Sequence, residues 1–381
     1  MVIFDSFILT AGIMLILFAG IDYLSHRFKF SSIIILIILG IMAGFFIEGS
    51  IALHTVADIG IILLFFLLGL EFPLNRMMTI SRKSWPAGLI DIILNIGIGL
   101  LISLIFGFNL ITSFFIGSVI YASSSSITLK LLEEKKRMAN KETEFILALL
   151  IFEDLFAPIL VSFFAAIYQG QDFSYNFVGS LIFQIILFTG GAVLIGHYVF
   201  KSLSNFIEKH LDREFIPLFT MGVALSYSGL ALYFGLSEVL GAFLAGIMLS
   251  ETGQASEIEQ LVLPVRNVTL PFFYFWFGST IYIKEGISWI ALLIVIIIWS
   301  ILVKVLVGYI GGQLFGLSRK VALRGGFSLI QRGEFSAIIA ALAPVALRTF
   351  AGVYILNTAF IGIIFFDKAP ELTKKLLKNR K

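Results

Sequence analysis

The chain has 381 residues, 59% of them hydrophobic and 13% charged, against about 25% charged in an ordinary soluble domain. That excludes a soluble globular protein; zero cysteines and four scattered histidines (His26, His54, His197, His210) exclude disulfides, iron–sulfur ligation and thiolate metal sites. The net charge of +3 names no partner by itself. The longest polar interval, Lys130 to Glu144, is a loop, so no nucleic-acid-binding or nucleotide-binding module fits, no cofactor is expected, and activity belongs within the membrane.

A bilayer span needs about 20 mostly apolar residues. Such runs fall near 7–25, 31–47, 56–73, 84–107, 110–129, 145–168, 177–200, 215–234, 237–250, 262–282, 286–316, 321–346 and 352–366. The expected fold class is therefore an all-α membrane protein of about 13 transmembrane helices. The segment Met1 to Asp5 is acidic and no small-residue cleavage site follows, which reads as a retained first helix. Residues 1–367 form the membrane domain and 368–381 a basic tail. With an odd span number the termini lie on opposite sides. Placing the N-terminus outside puts all but five of the 27 basic residues in cytoplasmic segments, the exceptions being Lys284, Arg348, Arg266, Lys304 and Arg332. The C-terminus is then cytoplasmic, and a multi-pass protein of the cell membrane is expected.

Two spans carry small polar residues where Leu and Ile are expected. The fifth holds Ser123, Ser124, Ser125, Ser126 and Thr128; the twelfth holds Gly325, Gly326, Gln331, Arg332, Gly333 and Glu334. Small residues also serve close helix packing, but Arg332 and Glu334 are costly in hydrocarbon. Lying seven spans apart, the two run in opposite directions. That is the pattern of inverted repeats, each with one broken helix whose free backbone groups form an ion site.

The sixth span places Glu153 and Asp154 side by side at mid-membrane, with Pro158 after them. Adjacent helical residues diverge by about 100°, so one is the carrier and the other flanks it or pairs elsewhere. Lys304, in the middle of the eleventh span, needs an acidic partner; Asp154 is the first candidate and Glu153 the second, and the pair could be purely structural. Asp22, Glu71, Asp91 and Glu238 read as interfacial or packing residues. Oxygen ligands without thiolate suit hard cations such as K⁺ and Na⁺. Competition of a cation and H⁺ for one carboxylate gives exchange.

These residues, with Gly69-Leu70-Glu71, Gly235 to Glu251 and Gln331 to Phe335, resemble the monovalent cation:proton antiporter-2 family, particularly its Kef-like potassium-efflux branch, in order through essentially the whole chain. The resemblance implies a homodimer in membrane lipid, each protomer having a dimer-forming scaffold and a moving core in which the fifth and twelfth spans cross. It implies that Asp154 is the ion-binding aspartate, with Glu153, Ser123 to Ser126 and Thr128 around it. Lys304, Arg332 and Glu334 compensate charge, and Gly325, Gly326 and Gly333 break the helix. Glu153 differs from the Gln of glutathione-gated potassium systems and from the Asp of sodium-exchanging relatives. The branch favours K⁺ over Na⁺ as the cation exchanged for H⁺; a Na⁺/H⁺ antiporter of the same fold, a ligand-gated K⁺ efflux channel and an organic-anion symporter are the alternatives. The best-known potassium-efflux members continue into a regulatory domain; here a basic tail ends at Lys381, so the expectation is a separate cytoplasmic regulatory subunit or a regulatory domain beyond that residue, with a tail held on anionic lipid as the alternative to a docked partner.

Overall fold

The computed structural model describes residues 7–28, 31–44, 51–71, 84–168, 170, 174–202, 214–282, 286 and 288–378. Among them every regular element is helical. In chain order these are α1 (Phe7–Phe28), α2 (Ser32–Ala43), α3 (Ile51–Leu70), α4 (Ser84–Ile105), α5 (Leu110–Val119), α6 (Ser125–Glu134), α7 (Lys141–Tyr168) and α8 (Tyr175–Leu194, continued by a π-helical turn Ile195–Phe200). There follow α9 (Ile216–Tyr233), α10 (Glu238–Ser250), α11 (Ala255–Ser279), α12 (Ile290–Leu314), α13 (Arg319–Phe327), α14 (Glu334–Ala341) and α15 (Val345–Lys378). Counting α5 with α6 and α13 with α14 as single broken units, the described residues make thirteen helical units, and eight helices among them are long and apolar enough to cross a membrane.

Two bundles divide the molecule. In the scaffold, α2, α3, α9, α10 and α11 pack closely, and in the core α4, α5, α12, α13 and α15 surround the two breaks together with α7. Between apolar helices in lipid there is little hydrophobic driving force, so backbones must approach for dispersion to hold them. The glycines permit this. A Cβ on Gly69 of α3 would strike the Phe243 carbonyl of α10, one on Gly40 of α2 the Phe275 carbonyl of α11, and one on Gly308 of α12 the Gly326 backbone of α13.

Several boundaries differ from the sequence reading. The twelfth span is broken, as expected, with α13 stopping at Phe327 and α14 starting at Glu334. Gly325 and Gly326, expected at the break, lie inside α13, where Gly326 serves contact with Gly308. The break itself is the segment Ser328 to Gly333. The last span is not confined to 352–366. It begins at Val345, where Arg348 folds back onto the Ala343 carbonyl (3.2 and 2.9 Å), and it runs through the expected tail to Lys378, because Lys, Glu, Leu and Ala there are good helix formers. Of the basic residues used for orientation, Lys29, Arg76, Arg82, Lys83, Lys209, Arg213, Lys284, Arg380 and Lys381 lie outside the described residues, as does His210.

Candidate functional site

Each broken span leaves a helix C-terminus and a helix N-terminus inside the protein, with orphan carbonyls on one side and orphan N–H groups on the other. The two connecting segments cross and share a backbone bond, Ser124 N–H to the Gln331 carbonyl (2.9 Å). Arg332 serves the carbonyl ends: Nε donates to Ile120 O just beyond α5 (2.8 Å), and Nη1 to Leu329 O and Ile330 O beyond α13 (3.2 and 3.1 Å). Glu334 serves the N–H ends. As the first residue of α14, it also accepts at the start of α6, from Ser126 N and Oγ (both 3.0 Å) and Ser124 Oγ (2.7 Å). A cation at two helix C-termini and an anion at two N-termini match the helix dipoles. Gly333 fits between them because a Cβ there would strike the Ser124 side chain.

The adjacent acids of α7 diverge as helical geometry requires. Glu153 is fully buried; it accepts from the Ser123 backbone N–H, from Ser123 Oγ (3.3 Å) and from Lys304 Nζ (2.9 Å). Lys304 does not pair with Asp154. Its other two donors go to Asp91 Oδ1 and Oδ2 (2.8 and 2.9 Å), so all three ammonium protons are spent. Asp91, expected to be interfacial, is completely buried. Its Oδ1 also accepts from Asn95 Nδ2 (2.7 Å), and Asn95 Oδ1 accepts from Arg332 Nη2 (3.3 Å). Asn95 lies in the π-helical turn Ile93–Gly97 of α4, a distortion frequent at functional sites. One buried network thus joins α7, α12, α4 and the crossing, with Tyr121 placing its ring 5.7 Å from Lys304 Nζ.

Asp154 stands apart from this network. Both its oxygens accept from Ser125 Oγ (3.0 and 2.9 Å), its donor among the described residues, and it lines a cavity of about 730 Å³. Ser125, Ser126, Glu71, Glu144, Arg266 and Glu334 supply the rest of the polar wall. The cavity lies between the bundles, with the end of α3, the beginning of α7 and the residue following α12 around it. Of the residues expected around the ion, Ser125 and Ser126 reach the cavity. Ser123 Oγ is committed to Glu153 and Leu329 O (3.0 Å), Ser124 to Glu334 and the cap of α6, and Thr128 Oγ1 to Ser124 O (2.6 Å) and Gln331; none of the three lines the cavity. Asp91 and Asn95 were the missed members. Their signal was an acid and an amide four residues apart, hence on one helix face, in an otherwise apolar span.

The geometry yields a carboxylate that can take either a proton or a cation, beside hydroxyls and in the wall of a cavity. Arg332, the residue that hinted at an organic-anion symporter, is fully engaged by carbonyls and Asn95.

The sequence profile of the family described as "Sodium/hydrogen exchanger, transmembrane" matches residues 13–367. The chain is 46% identical over 366 residues to the ammonium/H⁺ antiporter subunit AmhT of Alkalihalophilus pseudofirmus, covering 96% of this chain and 94% of that one. It is 31% identical to the K⁺/H⁺ antiporter subunit KhtU of Bacillus subtilis, covering 98% and 96%. The solved structure of the sodium/proton antiporter MjNhaP1 from Methanocaldococcus jannaschii superposes with a TM-score of 0.69 at 17% identity over 97% of this chain and 98% of that one, which establishes a shared fold. The channel alternative finds no support, since these relatives are named antiporters.

Proposed function

The chain belongs to the sodium/hydrogen exchanger family, a family of multi-pass transporters rather than enzymes, and from that premise we propose that it exchanges K⁺ or ammonium for H⁺ at Asp154 by alternating access. The observation that carries the site is the contrast among its acids. Glu153, Asp91 and Glu334 are each held by several donors, whereas Asp154 has one hydroxyl and an open cavity. Two relatives named for ammonium and K⁺ support the cargo. K⁺ and NH₄⁺ are close in size, so one carboxylate with neighbouring hydroxyls serves both, with K⁺ favoured over Na⁺ in keeping with the Kef-like branch.

The same contrast supports a stoichiometry. Lys304 is shared by Asp91 and Glu153, so Asp154 is the single exchanging group and one proton moves per cation. Placing basic loops inside orients the cavity toward the cytoplasm, with the N-terminus outside and the C-terminus cytoplasmic in the cell membrane. Two protomers pair through scaffold helices, and a separate cytoplasmic regulatory subunit docks on the basic end. Support for the docking surface comes from the loop after α6 meeting α15: Lys135 pairs with Asp367 (2.8 Å), and Arg137 stacks on Phe366 (4.4 Å) while donating to its carbonyl (3.2 Å).

The test is proton flux in proteoliposomes under an imposed pH gradient. Addition of K⁺ or ammonium to the wild type dissipates the gradient, and D154N, incorporated equally, does not. Flux that ignores the cation, or wild-type flux in D154N, would contradict the assignment.

A further inference from the structure

Arg266 differs from the other intramembrane cations. Lys304 and Arg332 spend their donors on fixed acceptors of the core. Arg266, near the middle of α11, has a buried Nε with no hydrogen-bond partner and makes no ion pair among the described residues. A guanidinium at that depth is costly and points to function. Its position is specific. It lines the 730 Å³ cavity with Asp154 and Glu334, and also a second cavity of about 430 Å³ whose polar wall includes Asp22, Ser32, Asn267 and Tyr274.

Bundle membership gives this placement its consequence. Lys304 and Arg332 travel with the core, so their distances to the core carboxylates stay fixed when the core moves. Arg266 belongs to the scaffold, and any sliding of the bundles changes its distance to Asp154 and Glu334. Charge supplies the motive. In the core, Lys304 with Asp91 and Glu153 leaves one net negative charge, which Arg332 offsets through Asn95. Asp154 and Glu334 are then left over in the cavity wall. Two carboxylates in one cavity wall bind a cation tightly, and a tightly held cargo leaves slowly.

We propose that Arg266 sets the affinity of the exchange site: a tethered cation on the scaffold that opposes the cargo in the field of Asp154 and Glu334, weakening binding enough for release and rejecting divalent ions. This rests on the reading of Asp154 as the exchange site. Two consequences separate it from a packing role. Coulomb repulsion is proportional to the charge of the cargo, so the penalty on a divalent ion is twice that on K⁺ in logarithmic terms. The effect also depends on charge and not on shape, so lysine preserves it.

The experiment compares wild type, R266Q and R266K in proteoliposomes at one alkaline pH, with K⁺ and ammonium as cargo and Mg²⁺ as inhibitor. R266Q should lower KM for both monovalent cations by roughly threefold to tenfold, the reach of one charge at ~10 Å through a partly wet interior. The inhibition constant of Mg²⁺ should fall by the square of that factor. R266K should stay within about twofold of wild type. The proposal is overturned if R266Q keeps the wild-type KM, or if R266K shifts as far as R266Q. Should R266Q fail to purify folded, R266M removes the same charge and is read by the same criteria. A wild type without cation-dependent proton flux would overturn the exchange reading itself; an active wild type with an unshifted R266Q overturns the Arg266 assignment alone.

Discussion

Glu153 and Asp154 are neighbours in the chain and opposites in surroundings. Glu153 is locked in a buried network with Lys304, Asp91 and the Ser123 backbone, while Asp154 faces a cavity with one hydroxyl beside it. The backbone offers both the same depth. What separates them is the rotation of about 100° between successive helical residues, which turns one toward α12 and the other toward the gap between bundles. On the proposed reading, a carboxylate is made a carrier by lacking fixed partners: three saturated acids hold the machine together, and the unsaturated one trades partners.

The comparison is broken most severely at Asp154. D154N should abolish cation-dependent proton flux, a loss of at least ~100-fold against the background leak, without lowering the melting temperature in detergent, since no charged partner is orphaned. Lys304 should give the reverse emphasis. K304M leaves two buried carboxylates facing each other, and removing one partner of a buried pair costs about 3 to 5 kcal/mol. The thermal midpoint should fall steeply, and adding D91N to K304M should recover part of it. A K304M protein of wild-type stability would show that the network is not structural.

E153Q sharpens the contrast between the neighbours. The single oxygen of glutamine can still accept from Lys304 and Ser123 Oγ while its NH2 faces the Ser123 N–H, and Asp91 keeps the ammonium paired, so exchange should persist with unchanged coupling and a stability loss of about 1 to 3 kcal/mol. Coupled flux abolished in E153Q as in D154N would make the two acids a joint site. The smallest effect belongs to S125A. Losing the hydroxyl that holds both Asp154 oxygens should raise KM for K⁺ about threefold to tenfold, the worth of a modest hydrogen bond to a charged group, with the maximal rate nearly kept.

Much of this architecture was legible in the residues. Apolar run lengths gave the crossings, and polar residues in the fifth and twelfth spans marked the broken helices, because hydrocarbon tolerates such groups only where irregular backbone is buried or lines a cavity. Which acid meets Lys304 was not legible. Asp91 is distant in sequence, and the choice among three acids depends on how α4 packs against α12, which periodicity does not encode. The break was displaced for a related reason: Gly325-Gly326 looks like a helix breaker, but a glycine in a membrane helix equally marks close contact, and here Gly326 faces Gly308. Arg332 and Glu334, two residues apart, cannot meet on a regular helix; the break at Gly333 lets one serve carbonyl ends and the other N–H ends.

The central claim, that Asp154 alone exchanges while Glu153 stays bound to Lys304, is tested most directly by measuring K⁺ and H⁺ fluxes in the same proteoliposomes with the membrane potential clamped at several values. One proton per cation, with rates indifferent to the potential, is the predicted result. A ratio of two protons per cation, with rates that rise or fall with the potential, would contradict it and make Glu153 a second carrier.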